Sequence, residues 1–135
     1  MISQRYCYTT IGSAYVSGWG KSQQRWGMTD ELIVVQVPII HIENCTEQLN
    51  STGLTINEQT ICGGGAGCNG DSGGPLTCVR NGTDVEEERY LCGIASWRFS
   101  CQTNERGLPD VYTDVSKYTR WIEKFVRTWW RHYWS

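Results

Sequence analysis

A serine stands at the centre of Gly70-Asp71-Ser72-Gly73-Gly74-Pro75, with a carboxylate immediately before it and glycines close on both sides. These residue types in this order suit nucleophilic acyl transfer. A hydroxyl nucleophile must project from a tight turn, and backbone N–H groups beside it must reach the oxyanion that develops when a carbonyl is attacked. Residues without a β-carbon let the backbone come that near while taking positive φ. The plain alternative is a Gly-rich turn, and short motifs arise by chance, so the rest of the chain has to decide.

The elements that must hold such a turn read as β-structure. The chain has 135 residues, one domain's worth or part of a larger one, and its 39% hydrophobic content is enough for a packed core. Fifteen glycines among many Val, Ile, Thr, Tyr and Trp residues, broken by turn signals, favour an all-β protein. Tyr15–Gly20 reads as a strand entering a tight turn. Glu31–Ile40 reads as a second strand, apolar enough towards its end to be covered on both faces. Pro75–Val79 and Arg89–Trp97 read as the arms of a hairpin, joined by a polar loop that carries Glu86-Glu87-Glu88. Leu108–Val115 is a further strand. The period then changes: Tyr118, Trp121, Ile122, Phe125, Val126 and Trp129 recur at helical spacing behind Ser116 as N-cap, which predicts an amphipathic helix packed on the sheet.

Seven cysteines in so short a chain argue for an oxidising, extracellular setting and a disulfide framework. No two of them have CxxC spacing and neither histidine lies near a cysteine pair, so a metal site is disfavoured and no cofactor is implied. Asn44-Cys45-Thr46, Asn50-Ser51-Thr52 and Asn81-Gly82-Thr83 are glycan acceptor sequons that suit a secreted surface. The net charge of −2 gives no case for nucleic-acid binding. No apolar run reaches the length of a membrane span, and the front end lacks the features of a signal peptide. The aromatic and basic tail after Arg127 reads as a last helical turn covering more core, or as an extension foreign to the fold, ahead of a membrane-interface anchor.

Taken together, these segments resemble the chymotrypsin/trypsin-like serine proteases. Gly70–Pro75 is similar to that family's nucleophile turn. The resemblance extends through Val16-Ser17-Gly18-Trp19-Gly20, through Val35–Ile40 leading to Cys45, through Val111–Tyr118, and through the closing helix, so that it covers residues 15–127 with the motifs in the family's order. It implies the C-terminal antiparallel β-barrel of a two-barrel fold over 15–115, an irregular lead-in over 1–14, a helix over 116–130 and a tail over 131–135. The expected partners are a protein or peptide substrate and an N-terminal barrel missing from this sequence.

The resemblance also assigns roles. Ser72 would be the nucleophile, with its N–H and that of Gly70 as oxyanion donors. The carboxylate of Asp71 would lock that turn by pairing with a buried N-terminal ammonium made by activation cleavage. The triad order of the family places both His and Asp upstream of Ser72. Upstream, apart from Asp71, stand only Asp30 and His41, in the wrong order and in segments that match non-catalytic parts. This chain alone is therefore expected to lack a competent base. His41 reads as a surface loop histidine.

Substrate-binding positions follow by the same resemblance. Ser96-Trp97-Arg98 matches the strand that receives substrate backbone, with Arg98 where the family usually has glycine. Ala66 and Asn69 fall in the pocket wall before the nucleophile. Asp110 replaces the usual glycine of the opposite wall. Asp110 would offer a charge to a basic substrate, or pair with Arg98 and close the pocket, or be solvated without consequence. Cys45–Cys62 and Cys68–Cys101 match two family bridges. A third family bridge joins the position of Cys78 to that of Ala14, which cannot form it, leaving Cys7 or Cys92 as partner for Cys78. Two classes of function result: a secreted serine endopeptidase seen in part, or a non-catalytic homologue that binds peptides or protein partners.

Overall fold

Pro38 divides one extended run into two strands, and this division closes the sheet. In the computed structural model, which describes residues 13–21, 28–65, 70–80, 88–98 and 108–133, β1 (Ala14–Gly18) is followed by β2 (Ile33–Val37) and β3 (Ile39–Ile40) on either side of that proline. Lacking an N–H, proline cannot donate to a ladder and sits where pairing changes partner. Then come α1 (Ile42–Asn50), β4 (Thr60–Gly63), β5 (Pro75–Arg80), β6 (Glu88–Trp97), β7 (Asp110–Asp114), a 3-10 turn over Val115–Tyr118 and α2 (Thr119–Tyr133). The strand order is β2-β1-β5-β6-β7-β4-β3. Since β2 and β3 lie at opposite ends of that order yet are joined through Pro38, the antiparallel sheet curls round into a nearly closed barrel. The Pro38 carbonyl accepts from Gly64 N–H at 2.8 Å and helps seal the join.

Inward-facing residues of neighbouring strands fill the interior. Ala14, Val16, Val37, Ile61, Leu76, Cys78, Cys92 and Tyr112 form one buried cluster. Cys45, Leu49, Cys62 and Val111 form a second, beneath α1, with Trp97 and Leu108 against it. The Cys45–Cys62 disulfide ties α1 to β4, as the family resemblance implies. Cys78 is bonded to Cys92. Its neighbour in the β1 ladder is Ala14, so the covalent link has moved from between β1 and β5 to within the β5–β6 hairpin. A bulge makes this possible: Leu76 faces Gly93 and Thr77 faces Leu91, which leaves Cys92 as the extra residue on β6. A bulged residue is re-aimed relative to its ladder, and Cys92 lies buried beside Cys78.

Several expectations are corrected. The run Glu31–Ile40 is covered only towards its end, where Val37 is buried and Ile39 and Ile40 are half-buried against the two core clusters, whereas Val34 is 56% exposed, because β2 is a terminal strand in the order and pairs with β1 alone. Residues 42–50, to which the sequence assigned no element, are helical, with Ile42, Cys45 and Leu49 on the inward side. The cap before the last helix is Asp114, not Ser116. Asp114 Oδ1 accepts from Ser116 N–H at 2.9 Å and from the Ser116 hydroxyl at 2.6 Å, which makes a 3-10 turn first and delays the α-helix to Thr119. The helix continues to Tyr133, through residues expected to form a tail. Its apolar side does not pack on the barrel: Trp121 is 62% exposed, and Ile122, Phe125 and Val126 are exposed with it. Glu88 opens β6 opposite Arg80 instead of lying in the hairpin loop. The lead-in over 1–12, Cys7, the third sequon, and Glu86 and Glu87 lie outside the described residues. Among the described residues no helix is long and apolar enough to cross a membrane, and no group of His, Cys, Asp or Glu could hold a metal ion.

Candidate active site

The turn before β5 is built from two residues with positive φ, Gly70 at 103° and Gly73 at 80°. A side chain at either position would strain the backbone. Gly73 N–H donates to the Ala95 carbonyl at 2.8 Å, and Gly74 accepts from Ala95 N–H at 2.9 Å, so β6 clamps the far side of the turn. Gly74 N–H donates to the Asp71 carbonyl at 2.9 Å and closes the turn on itself. Between these anchors Ser72 is exposed.

Asp71 points away from the serine into the turn that follows β1. Its Oδ1 accepts from Gly20 N–H at 2.8 Å. A β-carbon at Gly18 or at Gly20 would fall on the Asp71 carboxylate. The residues Gly18-Trp19-Gly20 announce a turn after a strand, but nothing local beyond the pair of glycines flanking Trp19 marks them as the receptor for a carboxylate 51 residues away. The fold thus lays a seat of backbone under the carboxylate that precedes the candidate nucleophile.

Asp71 and Ser72 stand at one side of a small recess whose other walls come from Val16 of β1, the end of β6 and the start of β7, Ala95–Arg98 and Asp110–Tyr112. Ser96 is a bulge residue, since Ala95 faces Tyr112 while Trp97 faces Val111. Ser96 is exposed, and the half-buried Trp97 packs on the cluster beneath α1. The recess is already furnished. Arg98 turns inward and its Nε lies 3.3 Å from Asp110 Oδ1, with the two side chains only 17% and 7% exposed. Of the three alternatives for Asp110, the structure therefore has the internal ion pair. Arg98 Nε and Nη1 and the Tyr112 hydroxyl are buried there without a hydrogen-bond partner among the described residues. Burial, reinforced by the carboxylates of Asp110 and then Asp71 and opposed by Arg98, raises the Tyr112 phenol far above its ordinary range. Tyr112 is therefore a neutral hydroxyl at the floor of the recess.

No histidine lines this recess among the described residues. His41 stands at the start of α1, exposed, with Nδ1 3.5 Å from Glu43. Ala66, Asn69, Cys68 and Cys101 lie outside the described residues. The arrangement offers an exposed hydroxyl, a glycine-built turn held from both sides, and beside it a largely apolar recess that holds the Arg98–Asp110 pair.

Comparisons with known proteins point the same way. The family described as Trypsin matches residues 4–122. The chain is similar to chymotrypsin-like elastase family member 3B of Macaca mulatta, with 33% identity over 83% of this chain and 43% of that protein. It is similar to trypsin-1 of Astacus astacus, with 35% identity over 86% of this chain and 47% of that protein. Phenoloxidase-activating factor 1 of Holotrichia diomphalia shares 34% identity over 83% of this chain and 30% of its own length. The chain spans less than half the length of these relatives. With the barrel, the closing helix and a family match from residue 4 to residue 122 in agreement, the chain belongs to the trypsin-like serine proteases.

Proposed function

We propose that this chain is the nucleophile-bearing lobe of a secreted serine endopeptidase that hydrolyses protein or peptide substrates. The observation that carries the reading is Ser72, exposed on a turn whose neighbouring glycines take positive φ. In this reading Ser72 Oγ attacks the scissile carbonyl and passes its proton to a base. The Gly70 and Ser72 N–H groups stabilise the oxyanion, the amine leaves with that proton, and water releases the acyl group from Ser72. Asp71 holds the turn through its seat on Gly18–Gly20. Ser96-Trp97-Arg98 receives substrate backbone, while Ala66, Asn69 and Asp110 shape the side-chain pocket. The base comes from residues beyond this sequence, and residues 1–135 by themselves hydrolyse no peptide bond.

The disulfides Cys45–Cys62 and Cys78–Cys92 support an oxidising, extracellular setting. Labelling of the native protein with a fluorophosphonate tests the reading. Adduct mass at Ser72, lost on Ser72→Ala, is expected. A native protein that carries no adduct while a control protease labels fully would overturn it. It would leave the second reading, a non-catalytic homologue that binds partners, which the occupation of the recess by Arg98 favours.

A further inference from the structure

We infer that Asn50 carries an N-linked oligosaccharide and that Asn44 does not, because helix α1 and the Cys45–Cys62 disulfide leave one of these neighbouring sequons open and hold the other shut. The inference rests on the extracellular setting proposed above. It adds a covalent modification and the device that selects its site.

Both asparagines are exposed, so exposure does not choose between them. The choice lies in what each is tied to, since a glycosylating enzyme must draw the acceptor segment away from the folded surface into its own cleft, and that takes local unfolding. Asn44 stands in the first turn of α1. The middle residue of its sequon, Cys45, is 0% exposed and bonded to Cys62 of β4. The third residue, Thr46, donates its hydroxyl to the Ile42 carbonyl at 2.8 Å within the same helix. Freeing Asn44-Cys45-Thr46 therefore unwinds α1 from its start and pulls a cystine out of the cluster beneath it.

Asn50 is the last residue of α1, and the other two residues of its sequon lie beyond the helix. Thr52 N–H donates to the Leu49 carbonyl at 2.9 Å, and the Thr52 hydroxyl donates to the same oxygen. Gly53 completes this turn with φ of 75°, and nothing stands within 4 Å of where its β-carbon would be. Residues 51–59 belong to no strand. Helix ends fray, so Asn50-Ser51-Thr52 can extend by releasing one exposed turn while Cys45, Leu49 and the disulfide stay in place.

In the transfer, the Asn50 amide nitrogen displaces pyrophosphate from the anomeric carbon of a polyprenyl-pyrophosphate oligosaccharide. An N–C bond forms, the C–O bond to the pyrophosphate breaks, and the amide gives up one proton. The product is a bulky, hydrated group on the outer side of α1. Asn50 does not line the recess beside Ser72, so the modification is separate from the candidate nucleophile.

The test uses the full chain, led into the secretory pathway of cultured animal cells by an added signal sequence. Peptide N-glycosidase in heavy-oxygen water leaves a heavy-oxygen aspartate wherever a glycan stood, and cleavage after Glu47 separates the two sites for peptide mass. In the wild type the label is expected at Asn50 and absent from Asn44. In Asn50→Gln, Asn44 is expected to stay empty. In Cys62→Ser, where Cys45 has lost its bridge, labelling of Asn44 is expected to rise about tenfold or more. Cell-associated and secreted protein are pooled, so a variant that misfolds still reports. A wild type unlabelled at Asn50, or labelled comparably at both sites, would overturn the inference. So would label that moves to Asn44 in Asn50→Gln, which would mean crowding between sequons, or Asn44 unmoved by Cys62→Ser. The added signal supplies the secretory setting, so a native chain retained in the cytosol would sink the extracellular reading and leave these results standing.

Discussion

Replacing Gly20 by alanine should dislodge the Asp71 carboxylate, and a double-mutant cycle measures by how much. Gly20 N–H is 2.8 Å from Asp71 Oδ1, a charge-assisted bond worth about 1.5–3 kcal/mol. A β-carbon at position 20 would overlap that carboxyl group, and overpacking of this kind costs about 1–3 kcal/mol. Gly20 is not among the positive-φ glycines, so alanine also gains about 0.4–1 kcal/mol from the unfolded chain. The net expectation for Gly20→Ala is about 2–4 kcal/mol of lost stability. Asp71→Ala alone should cost about 2 kcal/mol through the same bond. In the double variant the new methyl enters space the carboxylate has left, so its cost disappears. The double variant should therefore be about 2–4 kcal/mol more stable than the sum of the singles. Urea unfolding of the full chain followed by tryptophan fluorescence reads all four corners of the cycle. Additivity within about 0.5 kcal/mol would refute the argument, because it would mean that the two residues do not meet.

The other predictions concern the recess and the hairpin. Tyr112→Phe should be neutral or stabilising near pH 7, because it removes a buried hydroxyl without a hydrogen-bond partner among the described residues. It should also remove an alkaline limb. Burial holds the folded phenol above its unfolded value, so this group's contribution is intact below pH about 10. As pH rises towards the folded value it is lost by about 1.4 kcal/mol per pH unit. Comparing urea midpoints of wild type and Tyr112→Phe from pH 9 to 11 checks the sign, and parallel curves would count against it. Peptide mapping without reduction should recover Cys78 linked to Cys92, and Cys78→Ala/Cys92→Ala should lose about 3 kcal/mol for a bridge spanning 14 residues. Cys78 recovered in a bridge to Cys7 would reject that pairing.

Local chemistry was legible in the sequence, and distant partnership was not. The Gly-Asp-Ser-Gly-Gly turn, the alternating arms of β5 and β6, and the β7 strand all carry their signals within a few residues. Helix α1 escaped because only Ile42, Cys45 and Leu49 point inward from a short, polar segment with no side-chain cap at His41. The stripe from Trp121 to Val126 correctly announces a helix. Amphipathicity states that a face is apolar, not what lies against it, and here the described barrel does not cover that face. The seat of Asp71 and the approach of Arg98 to Asp110 depend on strands brought together by the closure at Pro38, which no local window contains. The third family bridge shows the same limit. Ala14 in the sequence excludes one partner for Cys78, but only the β6 bulge selects Cys92 over Cys7.

That relocated bridge has a consequence for the order in which the chain assembles. A cystine between β1 and β5 would close a ring across most of the first half of the chain and could form only after distant segments had met. Between Cys78 and Cys92 the ring is 14 residues apart in sequence, so the loop entropy of closure is small and the contact is local. The β5–β6 hairpin can be locked early, with Gly73 and Gly74 already clamped on Ala95 at its open end. Strand β1, which brings Gly18 and Gly20 to Asp71, is held to β5 by hydrogen bonds and packing, and its docking is left as the later, reversible step that completes the turn around Ser72.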